Sequence, residues 1–184
     1  MRYEVGGGRY EVGGMRYEVG GMRDDGGAVF SECGRYRYGL WRVWDEGGAS
    51  VLFVGLNPST ADGGRDDATV RRCVGFARDW GYGGVWVANL FGWRATRPAE
   101  LRRAADPVGR ANDAWLRRLA EDAGIIVTAW GNHGTWQQRD EVVLSLLPRP
   151  RHHLGLTRHG QPRHPLYLPA ATPLCLWEER GMPA

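Results

Sequence analysis

Four short polar segments carry the residue types that can do chemistry, and each follows an apolar run. They are Gly55-Leu56-Asn57-Pro58-Ser59-Thr60, Asn89-Leu90-Phe91-Gly92-Trp93-Arg94, Gly131-Asn132-His133-Gly134 and His164-Pro165-Leu166-Tyr167. Asn57 stands between Gly55, which allows close backbone approach, and Pro58, which fixes the chain direction, so its amide is held rigidly. An amide so held can orient a water or clasp a ligand edge; equally, an Asn after a strand can close a turn on its own backbone. Asn89 carries the same two readings: its donor and acceptor match the Watson-Crick edge of a base, and Asn also caps loops. His164, stiffened by Pro165, can stabilise an anion that develops in a ligand.

Other titratable residues suggest blander roles. Asp62, Asp66 and Asp67 could hold a divalent ion or act as a base, but acids that open a helix complement its dipole, which is the role expected of them. The histidines are His133, His152, His153, His159 and His164, the last four crowded among Arg151, Arg158 and Arg163. Their spacing fits no standard zinc pattern, and Cys33, Cys73 and Cys175 lie too far apart to complete one. A basic loop facing phosphate or solvent is expected there, with no metal and no cofactor. GxGxxG, the P-loop, GxSxG and HExxH are all missing, which disfavours dinucleotide reductases, P-loop enzymes and α/β-hydrolases.

The elements that must position these segments follow from apolar periodicity. Residues 51–54, 85–88 and 125–130 are short, largely apolar runs, as strands buried on both faces require, and residues 152–156 are expected to form a short fourth strand. Between them, residues 67–80, 98–105, 109–123 and 137–147 show helical spacing, with Gly81, Gly124 and Pro148 as stops. Strands alternating with helices predict right-handed crossovers and a three-layer α/β/α domain with a central, mainly parallel four-stranded sheet. Ligands of such sheets bind beyond the carboxyl ends of the strands, where all four polar segments fall. Upstream, the aromatic stretch from Tyr36 to Trp44 predicts a strand or hairpin.

The chain has 184 residues, 42% of them hydrophobic, and a formal charge of +3, which suits one domain. Arg-Tyr-Glu-Val-Gly-Gly occurs three times, from Arg2, Arg9 and Arg16. Each copy is shorter than a solenoid unit and rich in glycine, so residues 1–28 are expected to form a flexible tail and residues 29–184 a single domain. No run is long enough to cross a membrane and the N-terminus lacks an apolar signal stretch. With three scattered cysteines, a reducing, cytoplasmic setting is expected. All 24 basic residues are arginine. That suits phosphate contacts, and a genome that favours Arg codons would produce the same composition; the 21 acidic residues keep net charge from deciding.

The quoted segments, together with Asp67 to Cys73, Trp130 and Leu168, resemble a bacterial family, domain-of-unknown-function family 1643, over residues 29–177. In the same order they also resemble a diverged member of the uracil-DNA glycosylase superfamily. That resemblance implies a glycosylase-like fold, DNA as the partner, and metal-free hydrolysis of a base from its sugar. Asn57 would position the attacking water, and His164 would stabilise the charge on the leaving base. Asn89, with Gly55 and Leu56, would hold the base. Pro165, Leu166 and Tyr167 would occupy the segment that wedges into a duplex around a flipped nucleotide, while Pro58, Ser59, Asn132, His133 and Arg163 would touch nucleic acid. The chain departs from the superfamily in four places: Ser59 stands where the uracil branch has a bulky Tyr, no Ser follows His164-Pro165, no aromatic lies close after Asn57 to stack on a base, and three cysteines fall short of the four an iron-sulfur branch needs. The alternative is a nucleic-acid or nucleotide binding module on the same scaffold that does not hydrolyse.

Overall fold

The computed structural model describes residues 9–12, 15–23 and 25–177. In chain order its elements are β1 (Arg9–Val12), β2 (Met15–Arg23), β3 (Gly26–Phe30), β4 (Arg37–Val43), β5 (Ser50–Gly55), α1 (Ala68–Asp79) and β6 (Gly84–Asn89). Then come α2 (Pro98–Arg102), α3 (Asn112–Asp122), β7 (Ile125–Thr128), α4 (Arg139–Leu146), β8 (Arg151–His153) and β9 (Cys175–Leu176). Two 3-10 segments, Asn132–Gln138 and Pro165–Tyr167, follow β7 and β8.

The α/β class expected from the periodicity holds, but the sheet is larger than expected. Among the described residues nine strands pair in the order β1-β2-β3-β4-β6-β5-β7-β8-β9. The four expected strands, β6-β5-β7-β8, are its parallel centre, and the remaining pairs are antiparallel. Short runs such as Cys175–Leu176 carry too little periodicity to announce a strand; they form because a sheet edge offers them unpaired backbone groups. The same applies to the N-terminal stretch. The expected boundary at residue 29 falls inside β3, and β1 and β2, drawn from the second and third repeats, pair in turn beside β3. Their pairing sets Arg9 opposite Glu18, Tyr10 opposite Tyr17 and Glu11 opposite Arg16. Residues 1–8, 13–14, 24 and 178–184 lie outside the described residues.

Alternation along the central strands divides the core between two faces, as the two-residue period of a strand demands. Val51, Phe53, Val85, Val87 and Val127 pack with Val70, Cys73, Phe76 and Ala77 of α1. Leu52, Val54, Trp86, Ala88 and Ile126 pack with Leu101 of α2, Trp115, Leu116 and Leu119 of α3, and Val143 of α4. Helices thus cover both faces, and the loops that follow β5, β6, β7 and β8 emerge at one edge. Asp67 caps α1, its Oδ1 accepting from the Val70 N–H at 2.9 Å, a contact worth about 1 kcal/mol. None of the described helices is long and apolar enough to cross a membrane.

Leu116, fully buried beneath the α3 face, should cost about 2–5 kcal/mol on replacement by Ala. Urea unfolding of Leu116→Ala checks this; a loss below about 1 kcal/mol would mean that α3 does not pack on the sheet as described.

Candidate functional site

The loops after β5 and β6 are joined into one unit. Beyond the strand ends the Leu90 N–H donates to Gly55 O at 2.9 Å and the Phe91 N–H to Leu56 O at 3.0 Å. Asn57 Nδ2 donates to Ala95 O at 2.7 Å and to Pro58 O at 3.1 Å, and the Ala95 N–H returns a bond to Pro58 O at 2.9 Å. Asn57 therefore braces the two loops with its nitrogen and keeps Oδ1 as its unengaged end. Pro58 is buried; Leu56, Asn57 and Ser59 are half-buried.

Asn89 sits across from this loop. A Cβ on Gly55 would lie 3.0 Å from Asn89 Oδ1, so a side chain at residue 55 would press on the amide. Asn89 is 4% exposed, and its Nδ2 has no hydrogen-bond partner. An orphaned buried donor costs roughly 1–3 kcal/mol, which makes this amide the conspicuous polar deficit of the edge.

The backbone that carries Asn89 is held from below. Asn112, fully buried at the start of α3, donates Nδ2 to Asn89 O and Leu90 O, each at 3.0 Å. Arg139, from the first turn of α4, reaches the same Leu90 O through Nε at 3.1 Å and Nη2 at 2.9 Å, and pairs with Asp113 at 2.6 Å. Three side-chain donors thus converge on one carbonyl. A second buried arginine, Arg37, is 2% exposed at the start of β4. It donates Nη1 to Ala61 O at 2.6 Å, clamping the far end of the first loop, while its Nε has no partner. Burial above all lowers its pKa to about 10; the carboxylates of Asp67 and Asp62 oppose that shift, repulsion from Arg94 and Arg42 adds to it, and the group stays cationic at neutral pH.

His164 opens the 3-10 segment Pro165–Tyr167, and its Nδ1 accepts from the Leu166 N–H at 3.3 Å. In the neutral ring the proton then belongs on Nε2, which makes that atom a donor. Burial holds the pKa of His164 below its usual value, partly offset by the Asp67 carboxylate. The Asp67 carboxylate acts electrostatically on both Arg37 and His164. Arg72 Nη2 donates to Leu168 O and ties the turn to α1. Leu166 and Tyr167 project outward, Tyr167 79% exposed.

Asn132 and His133 are exposed and belong to a neighbouring cluster. Asn132 Oδ1 accepts from Thr157 Oγ1 at 2.6 Å, and the Gly131 N–H donates to Pro162 O at 2.8 Å. The acids have structural tasks: Asp62 Oδ1 accepts from Gly64 N–H and Arg65 N–H, Asp66 pairs with Arg42 at 2.7 Å, and Asp67 caps α1. Among the described residues no group of three or more His, Cys, Asp or Glu is placed to hold a metal. Two clefts, one lined by Arg42, Trp44, Asp66 and Arg78 and the other by Glu141, Ser145, Arg149 and Arg151, involve none of Asn57, Asn89 and His164.

Periodicity alone does not mark Arg37, Asn112 and Arg139. The one available signal is Arg37 itself, a charge set between Tyr36 and Tyr38 at the head of a strand whose other charged residue is Arg42. Asn112 and Arg139 look like ordinary polar residues of two helix starts, and only the fold shows that both reach Leu90 O.

The lowered pKa of His164 fixes the sign of one pH effect. The folded pKa lies below the unfolded value of 6.5, so the stability tied to the neutral ring is fully present above that pH and is lost as pH falls below it. Urea midpoints of the wild type and His164→Gln, followed from about pH 8 to about pH 5, should show the wild type losing more stability on acidification. Equal losses would place His164 in solvent.

No solved structure gives a significant match to the chain. One curated relative, an error-prone DNA polymerase from Xanthomonas axonopodis pv. citri, is 35% identical over 77 residues, which is 42% of this chain and 7% of that protein. The chain thus spans only a small fraction of that relative's length. A family model matches residues 37–166, from Arg37 through Leu166, and so takes in β4, the parallel centre, the first three polar segments and the fourth as far as Leu166. The chain belongs to the family described as protein of unknown function (DUF1643).

Proposed function

We propose that this edge of the sheet takes up a nucleobase of DNA and that the chain hydrolyses the bond between that base and its sugar, on a uracil-DNA-glycosylase-like scaffold in the cytoplasm. The observation that carries the reading is Asn89, buried beside side-chainless Gly55 with an unpartnered Nδ2. A carbonyl on the edge of a base would supply the acceptor that Nδ2 lacks, and the donors on Leu90 O hold the amide rigid for that contact.

In the reaction the C1′–N bond breaks and its electron pair leaves with the base. His164 Nε2–H donates to the oxygen of the base on which this charge gathers, and a ring held neutral at the start gives up no proton prematurely. A water accepted at Asn57 Oδ1 adds to C1′; its hydroxyl stays on the sugar and its proton goes to the departing base. Asn57 has no basic site, so it aims the water and does not deprotonate it; the step depends on charge stabilisation. Buried Arg37 adds a fixed positive charge beneath the first loop. Exposed Leu166 and Tyr167 are suited to fill the gap left by an extruded base.

The second reading, binding without hydrolysis, draws on Asn57: its nitrogen is spent on two carbonyls, as in a purely bracing residue. Labelled oligonucleotides containing uracil, hypoxanthine or mismatched thymine, treated with alkali after incubation, separate the two. Base release should fall about 10²–10³-fold in His164→Ala and in Asn89→Ala, and should vanish in Asn57→Ala. Binding with no release from any substrate would leave only the second reading.

A further inference from the structure

From Val142 to Trp177 the chain holds four arginines and four histidines and no Asp or Glu. The exposed part of this run is a small arm that leaves β8 and returns at His164. The Arg163 N–H donates to Gly155 O at 2.9 Å, Leu156 bridges Pro162, the Thr157 N–H donates to Gln161 O at 2.8 Å, and the Gly160 N–H closes the tip on Thr157 O at 2.9 Å. Gly155 and Gly160 adopt φ of 98° and 76°, conformations that side-chain-bearing residues rarely take. The arm is therefore a folded miniature hairpin, with a positive-φ glycine at its root and another at its tip.

Its root is fastened as firmly. Trp130 Nε1 donates to Gln161 Oε1 at 2.7 Å, and Gln161 Nε2 donates to Asp140 Oδ2 at 2.8 Å. Thr157 Oγ1 donates to Asn132 Oδ1 at 2.6 Å, and the Gly131 N–H to Pro162 O at 2.8 Å. The carboxylate at this root, Asp140, is 7% exposed and engaged by Gln161, so it does little to neutralise the outer surface. On that outer surface Arg158, His159 and Arg163 are exposed, with Leu156 45% exposed between the strands of the arm. No ion pair among the described residues involves Arg158 or Arg163. Arg163 directly precedes His164, and Tyr167 stands exposed three residues beyond it.

We infer that the arm from Gly155 to Arg163 is a preformed clamp for the sugar-phosphate backbone of a nucleic acid whose base enters the neighbouring edge. The inference rests on the base-binding reading for what lies beside the arm. A polyanion is the occupant because Arg158 and Arg163 are exposed and in no ion pair among the described residues, and the backbone of the arm is already ordered, so binding costs little chain entropy. Arginine forks grip phosphate oxygens in pairs, while Leu156 and Tyr167 offer apolar area to sugars and to a flanking base. The clamp recognises backbone and not sequence, and it sets the register with which a base meets Asn89.

Fluorescence anisotropy of a labelled single- or double-stranded oligonucleotide, titrated with the full chain over a range of salt, tests the clamp. Arg158→Gln and Arg163→Gln should each lower the slope of log K against log salt by about one, and weaken binding roughly fivefold to tenfold at about 0.1 M salt. Arg117→Gln, on the exposed face of α3, removes the same charge and should leave the slope unchanged. A slope reduced equally in all three variants would mean that net charge acts alone, and a slope unchanged in the arm variants would mean that phosphates lie elsewhere; either overturns the clamp. Failure of the wild type to bind either oligonucleotide at low salt overturns it as well. Base release in Asn89→Ala separates the two proposals: if the arm variants lose slope while Asn89→Ala releases base normally, the clamp stands and the base-binding reading falls.

Discussion

Parallel pairing at the centre of the sheet is the constraint on which the molecule depends. Because β6, β5, β7 and β8 run the same way, each connection must cross back over a face, and the covering helices bury both sides of strands such as Val51–Val54. The ends of all four strands then point to one edge. Asn57 and Asn89, 32 residues apart along the chain, reach that edge together because they follow two neighbouring strands of this centre.

At that edge the structure spends polar groups unevenly. Leu90 O receives three donors from Asn112 and Arg139, while Asn89 Nδ2, one residue earlier, receives no acceptor. A fold selected for stability alone would pair the buried amide or replace it with an apolar group, because an unmade buried hydrogen bond costs more than a made one gains. The well-satisfied backbone beneath an unsatisfied side chain is the arrangement expected of a preorganised contact. Arg37 repeats the pattern beneath the first loop, with one terminal nitrogen clamped to Ala61 O and a buried Nε unpaired.

How much of this was legible in the sequence follows the physics of each signal. The central strands and the helices between them are governed by apolar periodicity, which is local, so they are visible as runs such as Val85-Trp86-Val87-Ala88 ended by Asn89. Antiparallel strands at the edges depend on an available partner and not on their own composition. Hence β9, and the pairing of the Arg-Tyr-Glu-Val repeats beside β3, could not be read from the residues alone. At the site, Asn57, Asn89 and His164 are recognisable because each stands beside a conformationally special residue or a strand end. Asn112 and Arg139 are not, because reaching Leu90 O depends on how α3 and α4 dock.

In the proposed reaction the buried Asn89 amide awaits an acceptor on a base. Nitrogen-edited NMR of the Asn89 side-chain NH2, assigned by its disappearance in Asn89→Asp, tests this directly during titration with an oligonucleotide that the protein binds. Base contact predicts that one of the two amide protons moves downfield as a hydrogen bond forms, saturating with the bound fraction. An Asn89 amide that stays unchanged while the backbone amides of the first loop shift would contradict the account, for the ligand would then occupy the edge without using the donor that defines it.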